Sequence, residues 1–364
     1  MVWGEDVGVK SLTIKTFDTT MPYSYTAVKN TCNKGKRDMM QLFYETGTSA
    51  VDEPLVSTIQ RYERVFSGRV RGYYLLGSYA DRCPVVGSDI DMYILFREAF
   101  VAPEEIVRAQ ELAHVCAQMS TLRLEIKLCC EQELAEGNEQ SIMRVALKQN
   151  SVLLYGSDTR PTMELPTRET YTRDATDAVL DFLFRLHHQD YLTYPLTYPQ
   201  AGNEFYGYEH LVKLPAHVAS IHASPEDADN TYYATRELVE CACRMATALL
   251  ALQTDCYVGA KRESVGSYQK MIGGEWSPFL LEMFEKGKLQ WGYGLPKGSA
   301  QRTELRVLCG QMLPFENHYL RHYRAYLLRQ ARSAESTSRQ FAFERFAIVH
   351  YDDDEVYAVL MSQR

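Results

Sequence analysis

The stretch that most constrains this chain runs from Leu75 to Phe96 and reads LLGSYADRCPVVGSDIDMYILF. An apolar run, Val70 to Leu76, breaks at Gly77-Ser78. A loop follows, and a second run, Asp89 to Phe96, carries Asp89 and Asp91 at its start. Apolar runs of this length bounded by turn residues read as buried strands. Aspartate is a poor strand former and is costly to bury. On a strand, residues i and i+2 point the same way, about 7 Å apart at the backbone. Asp89 and Asp91 therefore aim at one spot, and like charges held that close repel unless a cation sits between them. A divalent metal answers that need. Carboxylate oxygens suit Mg2+, which completes its shell with water and phosphate.

Around these runs the periodicity gives an element order. Glu53 to Phe66 has helical spacing, with Leu55, Ile59, Tyr62 and Phe66 on one face. A helix starts just after Pro103, where proline is well tolerated. Leu122 to Leu128 alternates strictly and reads as a third strand, with Arg123, Glu125 and Lys127 on its polar face. A short helix, Ser141 to Gln149, leads into the apolar run SVLLYG. The segment RPTMELPTRET, with two prolines and few apolar residues, marks a boundary. Beyond it the spacing is helical, with long helices near Thr235 to Gln253 and Leu305 to Arg332. The tail, RFAIVHY, DDDE and VYAVLMS, alternates around a polar turn and predicts a hairpin. SLTIKTF near the N-terminus reads as a strand, and Asn30 to Arg37 as a polar loop.

Bulk properties narrow the function classes. The net charge of −8 argues against a broad grip on nucleic acid and suits a neutral or cationic substrate. Nine cysteines without metal-ligand spacing read as small buried hydrophobes in a reducing compartment. No signal peptide or membrane-length apolar run is present in the sequence, so the expectation is a cytoplasmic protein with no membrane partner. His187-His188 are adjacent and face different sides of a helix, which is unsuitable for a shared metal.

Two further groups complete a reaction centre. Backbone N–H groups at a helix start receive phosphate well. Gly77 lets a phosphate approach the backbone, and Ser78 and Ser88 add hydroxyl donors. Glu125 brings a third carboxylate to the Asp89/Asp91 pair if its strand lies beside theirs. Phosphoryl and nucleotidyl transfer use such a set: metal neutralises developing charge, and a carboxylate takes the attacking hydroxyl's proton.

Gly-Ser, ten residues, then Asp-x-Asp in a strand resembles the nucleotidyltransferase superfamily with the DNA polymerase β-type palm. GSYADRCPVVGSDIDMYI is similar to its small bacterial branch, usually GS[YF]ARG, a short loop, then SDIDL. Asp81-Arg82 stands where that branch has Arg-Gly, leaving Arg82 for the phosphate-facing loop. The resemblance implies that Asp89 and Asp91 bind metal and that Glu125 is the base. CACRMATALLALQTDCYVGAKRESVGSY is similar to the helical domain of aminoglycoside adenylyltransferases of the streptomycin/spectinomycin type. There a lysine after a turn reaches the triphosphate from the second domain, and the position corresponds to Lys261.

The expected fold is α+β: a nucleotidyltransferase palm over residues 1–160, a helical domain over 161–335, and a hairpin tail over 336–364. The expected activity is Mg2+-dependent transfer of AMP from ATP to a hydroxyl of an aminoglycoside-like small molecule, with release of pyrophosphate. A protein adenylyltransferase, with a protein hydroxyl as acceptor, or a synthase of cyclic oligonucleotide messengers uses the same palm. Nucleic acid is not an expected partner.

Overall fold

The computed structural model describes residues 40–86, 88–136, 141–208 and 235–361. The expected N-terminal strand SLTIKTF and the loop after it lie outside the described residues. The described residues belong to one unit, and its first half is built on a four-stranded sheet.

Helix α1 (Ser49–Val65) leads into β1 (Val70–Leu76). A single helical turn, α2 (Gly77–Ala80), and a loop connect it to β2 (Ile90–Phe96). Helix α3 (Pro103–Met119) crosses to β3 (Leu124–Cys130). Then α4 (Glu131–Glu136) and α5 (Ser141–Asn150) precede β4 (Val152–Gly156). The sheet order is β3-β2-β1-β4. β1 is antiparallel to both β2 and β4, whereas β2 and β3 are parallel. The parallel pair requires a crossover, which α3 supplies.

Strand alternation sorts side chains to two faces. Tyr73, Leu75, Met92, Ile94 and Phe96 pack with Leu55, Ile59 and Tyr62 of α1 and with Ala109 and Cys116 of α3. Tyr74, Leu76, Tyr93 and Leu95 pack on the opposite face with Ala146 and Leu147 of α5. Because both faces are covered, β1 and β2 read as continuous apolar runs rather than alternating ones.

The second half is helical and shares one large core. It comprises α6 (Arg168–His187), α7 (Arg236–Gln253), α8 (Lys261–Met271) and α9 (Trp276–Phe284). A π-helical turn follows at Glu285–Gln290, then the long α10 (Ser299–Ala331). The tyrosine-rich stretch after His188 packs against α10: the Tyr198 hydroxyl donates to the Gly310 carbonyl at 2.7 Å, and the Tyr208 hydroxyl donates to Glu316 at 3.1 Å. Among the described residues no helix is long and apolar enough to cross a membrane.

The mixed sheet with flanking helices followed by a helical region is the expected α+β class. The tail is a correction. It is not a hairpin but helix α11 (Ser336–Ile348), a three-residue strand β6 (Val349–Tyr351) and helix α12 (Asp354–Met361). Ser338, Phe341, Ala342 and Phe346 are buried at helical spacing, and Arg345 pairs with Asp177 of α6. Those contacts override the local alternation of RFAIVHY. β6 pairs in parallel with β5 (Leu192–Tyr194), from a distant part of the chain. Within DDDE, Asp353 caps α12 by accepting from the N–H groups of Glu355 and Val356.

Candidate active site

The parallel pairing of β2 with β3 sets Asp91 directly opposite Glu125. Asp89 stands two residues before Asp91, just ahead of the strand, on the same side. Ligand oxygens of Asp89, Asp91 and Glu125 all lie within 4.8 Å of one another. No other group of three or more potential metal ligands converges among the described residues. The three acids sit at the start of β2 and β3, beside the end of β1.

Gly77 closes this corner. It has φ of +67°, a region that favours glycine, and a Cβ there would stand 2.2 Å from Asp91 Oδ2. The Gly-Ser turn and the acids are therefore in contact. Burial, then repulsion from Asp89 and Glu125, raises the Asp91 carboxyl well above the ordinary carboxylate range. Lys261 and Lys127 oppose that rise. Three hard oxygen ligands gathered this closely fit a divalent cation such as Mg2+. Glu125 also pairs with Arg123, its neighbour two residues back on the same face.

The helical half supplies cations. Arg236, the first residue of α7, pairs with Asp89 at 2.5 Å. Lys261, the first residue of α8, pairs with Glu240 at 3.1 Å. Its position follows from Gly259, which seats against α5: a Cβ there would stand 2.7 Å from the Ala146 Cα. Lys261 lies close enough to Asp91 for its charge to act on that carboxyl. Burial would raise the Glu240 pKa, but Lys261 and Arg244 outweigh it and bring it down to about 2. Arg244 is thus a structural partner of Glu240 at 2.7 Å. Tyr293 lies among the cations, with the Arg236 guanidinium 5.2 Å and the Lys288 ammonium 6.0 Å from its ring centre.

The remaining expected site residues divide. Ser78 is half-buried in the Gly-Ser turn, its carbonyl accepting from Cys83 N–H at 2.9 Å. Ser88 is buried, and its hydroxyl accepts from Val85 N–H at 2.9 Å, closing the loop. Arg82 is exposed and lies 5.8 Å from the centre of the Tyr44 ring. His187 pairs with Glu316 at 3.2 Å in the helical core.

Arg236 and Lys288 escaped sequence reasoning. One signal existed for Arg236: a cation at a helix N-terminus opposes the helix dipole and needs a compensating partner. That partner is Asp89. Lys288 carries no comparable local signal.

No family model matches the chain, and no curated protein matches it in sequence. Among solved structures the chain is similar to the spectinomycin adenyltransferase AAD(9) from Enterococcus faecialis, solved with ATP and spectinomycin. That match has 11% identity and a TM-score of 0.42, and covers 73% of this chain and 98% of that one. It is also similar to a toxin–antitoxin structure with AMP-PNP, at 18% identity and a TM-score of 0.25, covering 35% of this chain and 97% of that one.

Proposed function

We propose that this chain is a nucleotidyltransferase that moves AMP from ATP to a hydroxyl of a small molecule and releases pyrophosphate. One observation carries the reading: three carboxylates from two paired strands converge within 4.8 Å, against a glycine–serine turn. Asp89 and Asp91 hold the metal, with Glu125 completing the set. Mg2+ held there neutralises charge that develops on the phosphates. Gly77 and Ser78 seat the phosphate chain, and Ser88 keeps the adjoining loop in shape. Lys261 reaches the triphosphate from the helical half.

Glu125 accepts the proton of the acceptor hydroxyl. The freed oxygen bonds to the α-phosphorus, and the bond from that phosphorus to the bridging oxygen of the β-phosphate breaks. The division of labour follows the boundary in the sequence: residues up to about 160 supply the acids and the turn, and residues 161–335 supply the cations. Glu237 lies in the first turn of α7 beside Arg236. With the net charge of −8, it favours a polycationic, aminoglycoside-like acceptor.

The test is incubation with ATP labelled at the α-phosphate, Mg2+ and a panel of aminocyclitols. The expected result is label on one acceptor with stoichiometric pyrophosphate. Labelled oligonucleotide formed without any acceptor, or no pyrophosphate with every acceptor, would refute the reading.

A further inference from the structure

Lys288 is 4% exposed, yet among the described residues it makes no ion pair. Its one hydrogen-bond partner there is the Cys83 thiol, with 3.4 Å between Nζ and Sγ. A thiol is a weak acceptor. The rings of Phe284 and Tyr293, centred 5.4 Å and 6.0 Å from Nζ, compensate the charge only in part. Asp81 lies within its field but forms no ion pair with it. A buried cation without a counter-charge is costly, so such groups are normally paired.

The other two cations around Tyr293 obey that rule: Arg236 has Asp89 and Lys261 has Glu240. Among the described residues Lys288 is the exception, and its position is fixed. It sits in the π-helical turn Glu285–Gln290, a distortion common at functional sites. The Thr235 hydroxyl donates to the Gly287 carbonyl at 3.0 Å, and Tyr293 N–H donates to the same carbonyl at 2.9 Å. The ammonium is thereby directed at the loop after the Gly-Ser turn. Cys83, which it touches, is tied through its N–H to the carbonyl of Ser78.

We infer that Lys288 is a binding residue for the pyrophosphate end of the nucleotide, its missing counter-charge being supplied by β- and γ-phosphate oxygens. This rests on the nucleotidyl-transfer reading and adds a residue that the sequence motifs do not contain. Lys288 then also steadies the charge that gathers on pyrophosphate as it leaves.

The test compares the full wild-type chain with Lys288→Met and Lys288→Arg by calorimetric titration in Mg2+. The probes are α,β-methylene ATP, pyrophosphate and AMP. Lys288→Met should lose about tenfold or more in affinity for α,β-methylene ATP and for pyrophosphate, keep its AMP affinity within about twofold, and match or exceed the wild-type Tm without ligand. Lys288→Arg should recover part of the loss. Unchanged affinity for α,β-methylene ATP, an equal loss for all three probes, or failure of Lys288→Met to fold would each overturn the inference, the last because it would make the ammonium structural. A wild-type chain that binds neither α,β-methylene ATP nor pyrophosphate would overturn the nucleotidyl-transfer reading as well.

Discussion

Two acids in this molecule, Glu316 fully buried and Asp91 half-buried, are treated in opposite ways. Glu316 on α10 is 0% exposed, and both of its oxygens are used: one accepts from the Tyr208 hydroxyl, and the other meets His187 Nε2. Burial raises its pKa, while His187 and Tyr208 pull it back. Asp91 in the sheet is given the reverse. Its close neighbours are two more carboxylates and a glycine, and among the described residues its side chain accepts no hydrogen bond. Glu316 is a structural acid whose partners come from the fold. Asp91 is an acid whose partner has to come from outside.

That contrast can be broken in both directions. The largest effect is expected at the triad. Asp91→Asn should lower turnover by about a thousandfold or more while leaving Tm unchanged or higher, since repulsion is relieved; Asp89→Asn should lower turnover as far but with a modest loss of Tm, because Arg236 is left without its partner. Turnover and Tm measured on the same preparation decide the point; a collapse of Tm would make the triad structural. Glu125→Gln should cost about a hundredfold to ten-thousandfold in the chemical step, with nucleotide affinity largely kept and Mg2+ affinity lowered. Titrations beside single-turnover rates separate those terms.

Gly77→Ala sharpens the comparison at the corner of the site. Its left-handed φ and the 2.2 Å approach to Asp91 mean a Cβ must displace the carboxylate or the turn. About 1–3 kcal/mol of stability should be lost, together with nucleotide affinity, as denaturant unfolding and titration would show. Glu316→Ala should do the converse. It orphans the Tyr208 hydroxyl and His187, at about 1–3 kcal/mol for each group, and leaves turnover per folded molecule unchanged.

The smallest effect is expected at Asp81. Burial first, with Lys288 opposing, pushes its carboxyl up to about 6. A folded-state pKa above the ordinary value means the folded form holds the proton more tightly. This group therefore favours folding most at low pH, and that contribution declines as pH rises from about 4 to 6. Asp81→Asn should raise Tm by about 2 °C at pH 8, and the gain should vanish near pH 4. A gain that grew on acidification would contradict the assignment.

Much of this was legible in the sequence because strand geometry converts spacing into direction. Asp89 and Asp91 at i and i+2 had to share a side, and the runs around them had to be buried. Glu125 was legible as a polar-face acid, but its convergence needed the sheet order β3-β2-β1-β4, which no local pattern contains. Arg236 and Lys288 were hidden for the same reason: their partners, Asp89 and Cys83, lie more than a hundred residues away in the chain. The tail misled because RFAIVHY alternates locally, while Phe341, Ala342 and Phe346 find their partners in a helix. Tertiary packing decided an ambiguous pattern.

The central claim is that the triad is a metal site serving nucleotide transfer. The most direct measurement is a crystal of the full chain soaked with Mn2+ and a non-hydrolysable ATP analogue, with anomalous diffraction collected for manganese. The account predicts a peak in direct contact with Asp89 and Asp91, bridged to the analogue's phosphates. Manganese bound elsewhere, or the analogue's phosphates remote from Gly77 and the triad, would contradict it.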